Sequence, residues 1–119
     1  MIRGIRGAIT IDKNSRKEIL AATGQLLSQM VKANQVAIDN LASIIFSVTA
    51  DLNAEFPARA ARALGWGSVP LLCTYEIAVP GSLKKCIRIL MHVNSPKRQK
   101  QMKHIYLKGA ARLRKEFSS

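Results

Sequence analysis

The chain has 119 residues, 48% of them hydrophobic, and a formal net charge of +12. This length is typical of one domain with one core, so we interpret residues 1–119 as a single domain. The sequence has no run of about 18 apolar residues, which argues against a membrane-spanning helix. Because Arg3 and Arg6 stand where a signal peptide has its apolar stretch, we expect a cytoplasmic protein without a membrane partner.

The first half of the chain alternates strands and helices. Residues 2–11 predict a strand. Ser15 followed by Glu18 fits a capping box, and apolar residues recur at helical spacing from there to Asn34, which predicts a long helix. The next predicted elements, in chain order, are a helical turn at 37–41, a strand at 44–49 and a helix at 57–64 that begins with proline.

Strands dominate the second half. Residues 69–79 predict a strand that ends at the turn formed by Pro80 and Gly81, and the apolar run at 86–93 predicts a strand buried on both faces. The predicted elements after it are a short polar helix at 95–102, an extended or mixed segment at 105–113 and a loose tail at 115–119. This order of elements predicts an α+β fold in which helices cover one face of a mixed β-sheet.

Positive charge is concentrated toward the carboxyl end, where Glu116 is the only carboxylate side chain after Lys84. A positive field attracts anions, whether nucleic acid, acidic lipid or a small polyanionic substrate. Aromatic residues make up only 5% of the chain, so stacking platforms for single-stranded nucleic acid are scarce, and no nucleic-acid-binding motif is present. We therefore expect an anionic partner that is not a nucleic acid.

Arg88 lies within the apolar run at 86–91. A cation on a buried strand is costly unless it is paired. One possible partner is a carboxylate on a neighbouring strand, such as Glu76, and the other is a bound anion. The sequence leaves both alternatives open.

Arg59 and Arg62 lie three residues apart in the predicted helix at 57–64 and therefore share a face. They occupy its first turns, where the helix dipole disfavours cations unless a negative group lies nearby. One interpretation is a bound anion between the two arginines. The other is a solvated basic face.

Familiar catalytic and metal-binding patterns are absent from the sequence. Cys73 and Cys86 form no paired spacing and His92 and His104 lie far apart, so we expect free thiols and no metal site. No P-loop, GxSxG or HExxH pattern occurs either. We therefore expect no cofactor. A reaction that needs only substrate positioning and charge stabilisation requires none of these patterns.

Several short segments along the chain form a distinctive set. They are IRGIRGA at 2–8, SVTADL at 47–52, FPA at 56–58, VPLLC at 69–73, LKKCIR at 83–88, HIYL at 104–107 and RLR at 112–114. In their order and spacing, these segments resemble the monofunctional chorismate mutases of the Bacillus type. The resemblance covers nearly the whole chain. It departs from the family at Arg59, where lysine is frequent, at Leu72, where some members have threonine, and at Lys115, where proline is common.

The resemblance implies a homotrimer whose mixed sheets form a pseudo-α/β-barrel, with three active sites between neighbouring subunits. It also implies the cofactor-free rearrangement of chorismate to prephenate in phenylalanine and tyrosine biosynthesis. By resemblance, Arg88 donates to the ether oxygen of chorismate. Arg6 and Tyr106 bind a carboxylate, and Cys73 and Glu76 approach the ring hydroxyl.

Two further groups of residues follow from the resemblance. The side chains that shape the pocket are Phe56, Ala58, Leu72 and Leu113. The cations at its mouth are Arg59, Arg62 and Arg114, of which the first two come from the neighbouring subunit.

Two other functions are compatible with the charge: a basic nucleic-acid-binding module, and a non-catalytic trimer that binds small anions. The scarcity of aromatic residues and the absence of nucleic-acid-binding motifs from the sequence argue against the first. The joint presence of the five residues that the resemblance places closest to the reaction argues against the second.

Overall fold

The computed structural model describes residues 1–114, which form a five-stranded mixed sheet and two α-helices. The elements are β1 (Ile2–Thr10), α1 (Arg16–Ala33), β2 (Leu41–Val48), α2 (Ala58–Ala63), β3 (Leu71–Tyr75), β4 (Cys86–Asn94) and β5 (Ile105–Leu107). Three 3-10 turns lie at Ile38–Asn40, Gln99–Gln101 and Lys108–Arg112. The predicted loose tail at 115–119 lies outside the described residues.

The order of strands in the sheet is β3-β2-β4-β1-β5. The central strand β4 is antiparallel to both neighbours, whereas the edge strands β3 and β5 are parallel to β2 and β1. This register pairs Arg88 with Ser47 on one side and with Ala8 on the other, and Ala8 with Tyr106. Four residues from four strands thus form one row across the sheet.

The helices cover the face of the sheet opposite this row of residues. A Cβ on Gly7 would meet Leu26 and Met30 of α1, so the side-chain direction at Gly7 is toward the helix and that of Ala8 is away from it. We call the sheet surface that carries Ala8, Ser47, Arg88 and Tyr106 the helix-free face. Apolar side chains between the sheet and α1, including the fully buried Phe46, form the main core.

The long helix begins as its sequence predicts. Ser15 caps α1, since its Oγ accepts a hydrogen bond from the backbone N–H of Glu18 at 3.1 Å. The carboxylate of Glu18 accepts from the backbone N–H groups of Asp12 and Lys13 instead of closing the box. Of the helices within residues 1–114, none is long and apolar enough to cross a membrane.

The prediction that the fourth strand is buried on both faces is wrong for the single chain. Side chains of β4 alternate between the core and the helix-free face, where Leu90 is 37% exposed. The third strand is also shorter than predicted, because the chain leaves the sheet after Tyr75 and turns back through Gly81, whose φ is +82°. The polar helix at 95–102 is reduced to the turn Gln99–Gln101, while 105–113 is mixed as predicted.

Gly7 offers a test of how closely α1 packs on the sheet. A Cβ there would collide with Sδ of Met30, a side chain that is itself fully buried, so Gly7→Ala should destabilise the fold by about 1–3 kcal/mol. Gly24, inside α1, has no atom within 4 Å of such a Cβ, and Gly24→Ala should stabilise the fold by about 0.5–1 kcal/mol. Urea unfolding measures the free energy of unfolding of both variants, and equal changes in the two would contradict this packing.

Candidate active site

A cavity of about 220 Å³ opens on the helix-free face. We call it the Arg88 cavity. Its lining contains the predicted site residues Arg6, Glu76, Arg88, Tyr106 and Leu113. These residues are distant in the sequence, and the strand order brings them together, because β1 lies between β4 and β5.

Arg88 has both a carboxylate neighbour and a cavity beside it. Its Nε lies 3.4 Å from Oε1 of Glu76, yet this Nε is buried and forms no hydrogen bond with the described residues. A guanidinium carries five N–H donors, so one carboxylate does not exhaust it. Glu76 therefore balances part of the charge and helps to orient Arg88, while donors remain for an anion in the cavity.

Tyr106 contributes a second polar group that lacks a partner. Its ring is buried against Ala8, Cys86 and Leu113 in a small apolar cluster separate from the main core. Its hydroxyl is buried without a hydrogen bond to any residue in 1–114, an arrangement that costs free energy unless a ligand supplies the partner. The Arg88 cavity thus combines cations, a buried hydroxyl and apolar walls.

Other predicted site residues lie elsewhere, around α2. We call Phe56, Ala58, Arg59, Arg62 and Cys73 the α2 group. Cys73 pairs in the sheet with the core residue Phe46, so it faces the helices and points away from Arg88. Together with Phe56 it lines another cavity, of about 330 Å³.

Burial raises the pKa of the Cys73 thiol above its ordinary value of 9.0, although the backbone N–H of Ala58 and the charge of Arg62 oppose the shift. Burial also raises the pKa of Cys86 to about 11, against the opposing charge of Arg88. Both thiols are therefore protonated at neutral pH, which does not suit nucleophilic chemistry.

Arg59 already has a carboxylate partner within the chain. Its Nε lies 2.9 Å from Oε1 of Glu55, whose other oxygen is 2.8 Å from Nε of Arg16. The backbone N–H of Phe56 lowers the pKa of Glu55, and the two arginines add to this effect. Glu55 thus supplies a negative charge beside Arg59 within the chain itself, whereas the sequence leaves a bound anion and a solvated basic face as the two alternatives.

Leu72 and Arg114 are the remaining predicted site residues. Leu72 lies on the edge strand β3, where it is 61% exposed and pairs with Ile45 on the helix-free face. Arg114 is exposed at the end of the described chain. Neither lines the Arg88 cavity, so a single chain does not assemble the whole predicted site.

Ser47 is a cavity residue that the sequence analysis missed. It lines the Arg88 cavity and pairs directly with Arg88 across β2 and β4. Periodicity places Ser47 on the outer side of a strand, but only the strand order reveals that Arg88 is its neighbour.

Comparisons with known proteins show the family to which the chain belongs. Residues 2–117 match the family model described as chorismate mutase type I. The chain belongs to this family. It is 46% identical to chorismate mutase AroH of Thermus thermophilus, covering 100% of this chain and 98% of the relative. It is 44% identical to chorismate mutase AroH of Bacillus subtilis strain 168, and this match covers 99% of this chain and 94% of the relative.

A solved structure extends the likeness to three dimensions. A chorismate mutase from Clostridium thermocellum is 54% identical to this chain and superposes with a TM-score of 0.90, covering 91% of this chain and 96% of that one. The mixed sheet and the two helices on one face are therefore those of a type I chorismate mutase, an isomerase family.

The protonated state of Cys73 leads to a prediction about its role. Because the thiol carries no charge at neutral pH, Cys73→Ser should retain activity to within about tenfold, as expected for the loss of one neutral contact. Initial rates of chorismate consumption between pH 7 and 9 provide the measurement. Inactivity of Cys73→Ser together with inactivation of the wild type by a thiol alkylating reagent would instead indicate a covalent mechanism.

Proposed function

We propose that this protein catalyses the rearrangement of chorismate to prephenate without a cofactor. The observation that carries the proposal is the Nε of Arg88, which is buried without a hydrogen bond to any of residues 1–114, beside a cavity that Arg6 and Tyr106 also line. Chorismate carries two carboxylates, and a site with several cations suits such a dianion. The positive net charge of +12 favours its encounter with the protein.

The reaction breaks one C–O bond and forms one C–C bond within the same molecule. Bond breaking runs ahead of bond formation, so negative charge develops on the ether oxygen and positive charge on the ring. A fixed guanidinium at that oxygen stabilises the transition state more than the substrate, which is the requirement for catalysis. No proton transfer, nucleophile or redox step is needed, in keeping with the protonated thiols.

Arg88 is the residue we assign to the ether oxygen. Arg6 and Tyr106, on the neighbouring strands β1 and β5, bind a carboxylate on the enolpyruvyl side and hold the flexible substrate in a compact, reactive shape. Glu76 lies near the ring, where its negative charge suits the positive charge that develops there. Leu113 forms part of the apolar wall.

We further propose that the complete site forms between two copies of the chain in a homotrimer. The α2 group of one subunit would close the Arg88 cavity of the next, because one chain leaves the two groups on different faces of its sheet. Large apolar side chains beside the edge strand support such contacts: Phe56 is 63% and Ile77 86% exposed. Exposed apolar surface of this kind marks protein interfaces.

The proposed setting is the cytoplasm, where the two cysteines, which are free in this structure, would stay reduced. Within the proposal the substrate and product, chorismate and prephenate, are the small-molecule partners. The basic surface serves to attract the dianion, and neither a nucleic acid nor a membrane is required.

A direct assay tests the proposed reaction. Purified protein is incubated with chorismate in buffer containing a chelator and no nucleotide, and chorismate loss is followed by absorbance while prephenate is quantified by NMR. We expect catalysed loss with an equimolar gain of prephenate. Protein-dependent loss that gives another product, or no loss above the uncatalysed rate, would contradict the proposal.

A further inference from the structure

His104 lies directly before β5 and contacts the backbone of a residue that we assign to substrate binding. Its Nδ1 accepts a hydrogen bond from the backbone N–H of Arg6 at 2.9 Å. The parallel pairing of β1 with β5 begins one residue later, at Gly7 and Ile105. The imidazole therefore takes the place of a backbone acceptor just before the pairing of β1 with β5 begins.

We propose that His104 is a positioning residue for Arg6, and that its imidazole fixes the backbone from which the Arg6 side chain enters the Arg88 cavity. This role rests on the proposed function, since it concerns how tightly chorismate binds. A side chain on a fixed backbone binds a ligand without the free-energy cost of ordering that backbone first. His104 directly precedes the first residue of β5, so its side chain supplies this acceptor just before the strand pairing starts.

The chemical state of His104 suits this role. An imidazole that accepts through Nδ1 must carry its proton on Nε2 and be neutral. Burial lowers the pKa of His104, and the positive charge of Arg6 lowers it further. Arg6 is the charged group that faces it from β1, whereas Asn34, the residue that caps the end of α1, bonds to the backbone of Lys103. The acceptor is therefore preserved at neutral pH.

A purely structural role makes a different prediction, and Gln99 provides the matched control. Its side-chain amide accepts from the N–H of Gly4 at 2.8 Å and donates to the carbonyl of Gly4 at 2.6 Å. Gln99 thus anchors the same strand, β1, two residues before Arg6. If His104 only stabilised β1, removing either side chain would have the same consequences for catalysis.

The experiment compares His104→Leu, His104→Asn and Gln99→Leu with the wild type. In His104→Leu we expect faster amide hydrogen exchange at Arg6 and a KM for chorismate raised about tenfold, the effect of one lost hydrogen bond of about 1.4 kcal/mol. The kcat should change less than about threefold, because a carboxylate contact acts in both ground and transition states. His104→Asn should restore KM to within about threefold, since its Oδ1 can accept from the same N–H.

Gln99→Leu should lower thermal stability while leaving KM within about twofold of the wild type, the result expected for a contact away from the site. The positioning role is contradicted if Gln99→Leu and His104→Leu raise KM equally, if His104→Leu leaves KM unchanged, or if the exchange of the Arg6 amide does not respond. Wild-type protein without chorismate turnover would reject the proposed function and this role together. An active wild type with an unaffected His104→Leu would reject this role alone.

Discussion

Arg88→Ala is expected to lower kcat at least about 10³-fold, because removing one neutral oxyanion donor already costs about 10²–10³ and Arg88 supplies a full charge. The structure places this guanidinium in the middle of the sheet, between Ser47 and Ala8, whereas Arg6, the other arginine that lines the cavity, lies on β1. Loss of Arg88 leaves Glu76 without its cationic neighbour. The remaining carboxylate then repels the negative charge that develops on the substrate.

Two further variants make this result interpretable. Arg88→Lys keeps the charge and loses the planar set of donors, so its kcat should lie between those of the wild type and Arg88→Ala. Arg98→Ala removes an exposed arginine that does not line the cavity, and its kcat should match the wild type. Circular dichroism must show all three variants folded, and near-normal turnover by folded Arg88→Ala would overturn the mechanism.

Mixing two impaired variants should restore activity if the site is shared between subunits. The first variant is Arg88→Ala. The second is the double variant Arg59→Ala and Arg62→Ala, whose kcat/KM should fall about 10²-fold through the loss of two charged contacts with the dianion. In the proposed trimer, formed here by random mixing of the two variants, each site would take Arg88 from one subunit and the α2 group from another. Roughly one quarter of the sites then has both parts intact.

The measurement is kcat/KM after the two variants are unfolded together at equal concentration and refolded. We expect roughly a quarter of the wild-type value, far above that of either variant refolded alone. If one chain builds its own complete site, no mixture contains an intact site, and the value stays at the mean of the two parents. Light scattering of the wild type gives the subunit number independently, and a monomer would contradict the shared site.

The sequence predicts the main elements of the fold because their signals are local. A serine cap and an apolar stripe identify α1, and strand-like segments identify β1, β2 and β4. The pairing of β4 with both β1 and β2 is a long-range property that no local pattern contains. The long apolar run around Arg88 predicts burial on both faces, but Leu90 is partly exposed in the single chain, where no neighbour covers it.

The candidate site is predictable where a residue violates a local rule. Arg88 is conspicuous because a cation in an apolar run needs a partner. Arg59 breaks a rule as well, yet its partner is Glu55, four residues earlier in the chain, which the helical pattern alone did not reveal. Ser47 and His104 break no rule, and only the sheet register shows that they contact the site.

The central claim is that Arg88 stabilises the transition state more than the bound substrate. The most direct test is to measure separately the effect of Arg88 on substrate binding and its effect on the chemical step. For Arg88→Ala and the wild type, the dissociation constant for chorismate is obtained by rapid mixing, and the first-order conversion rate is obtained from a single turnover. We expect the conversion rate to fall at least about 10³-fold and the dissociation constant to rise less than about tenfold, because the charge on the ether oxygen develops only in the transition state. A loss that lies wholly in the dissociation constant, with an unchanged conversion rate, would contradict the account.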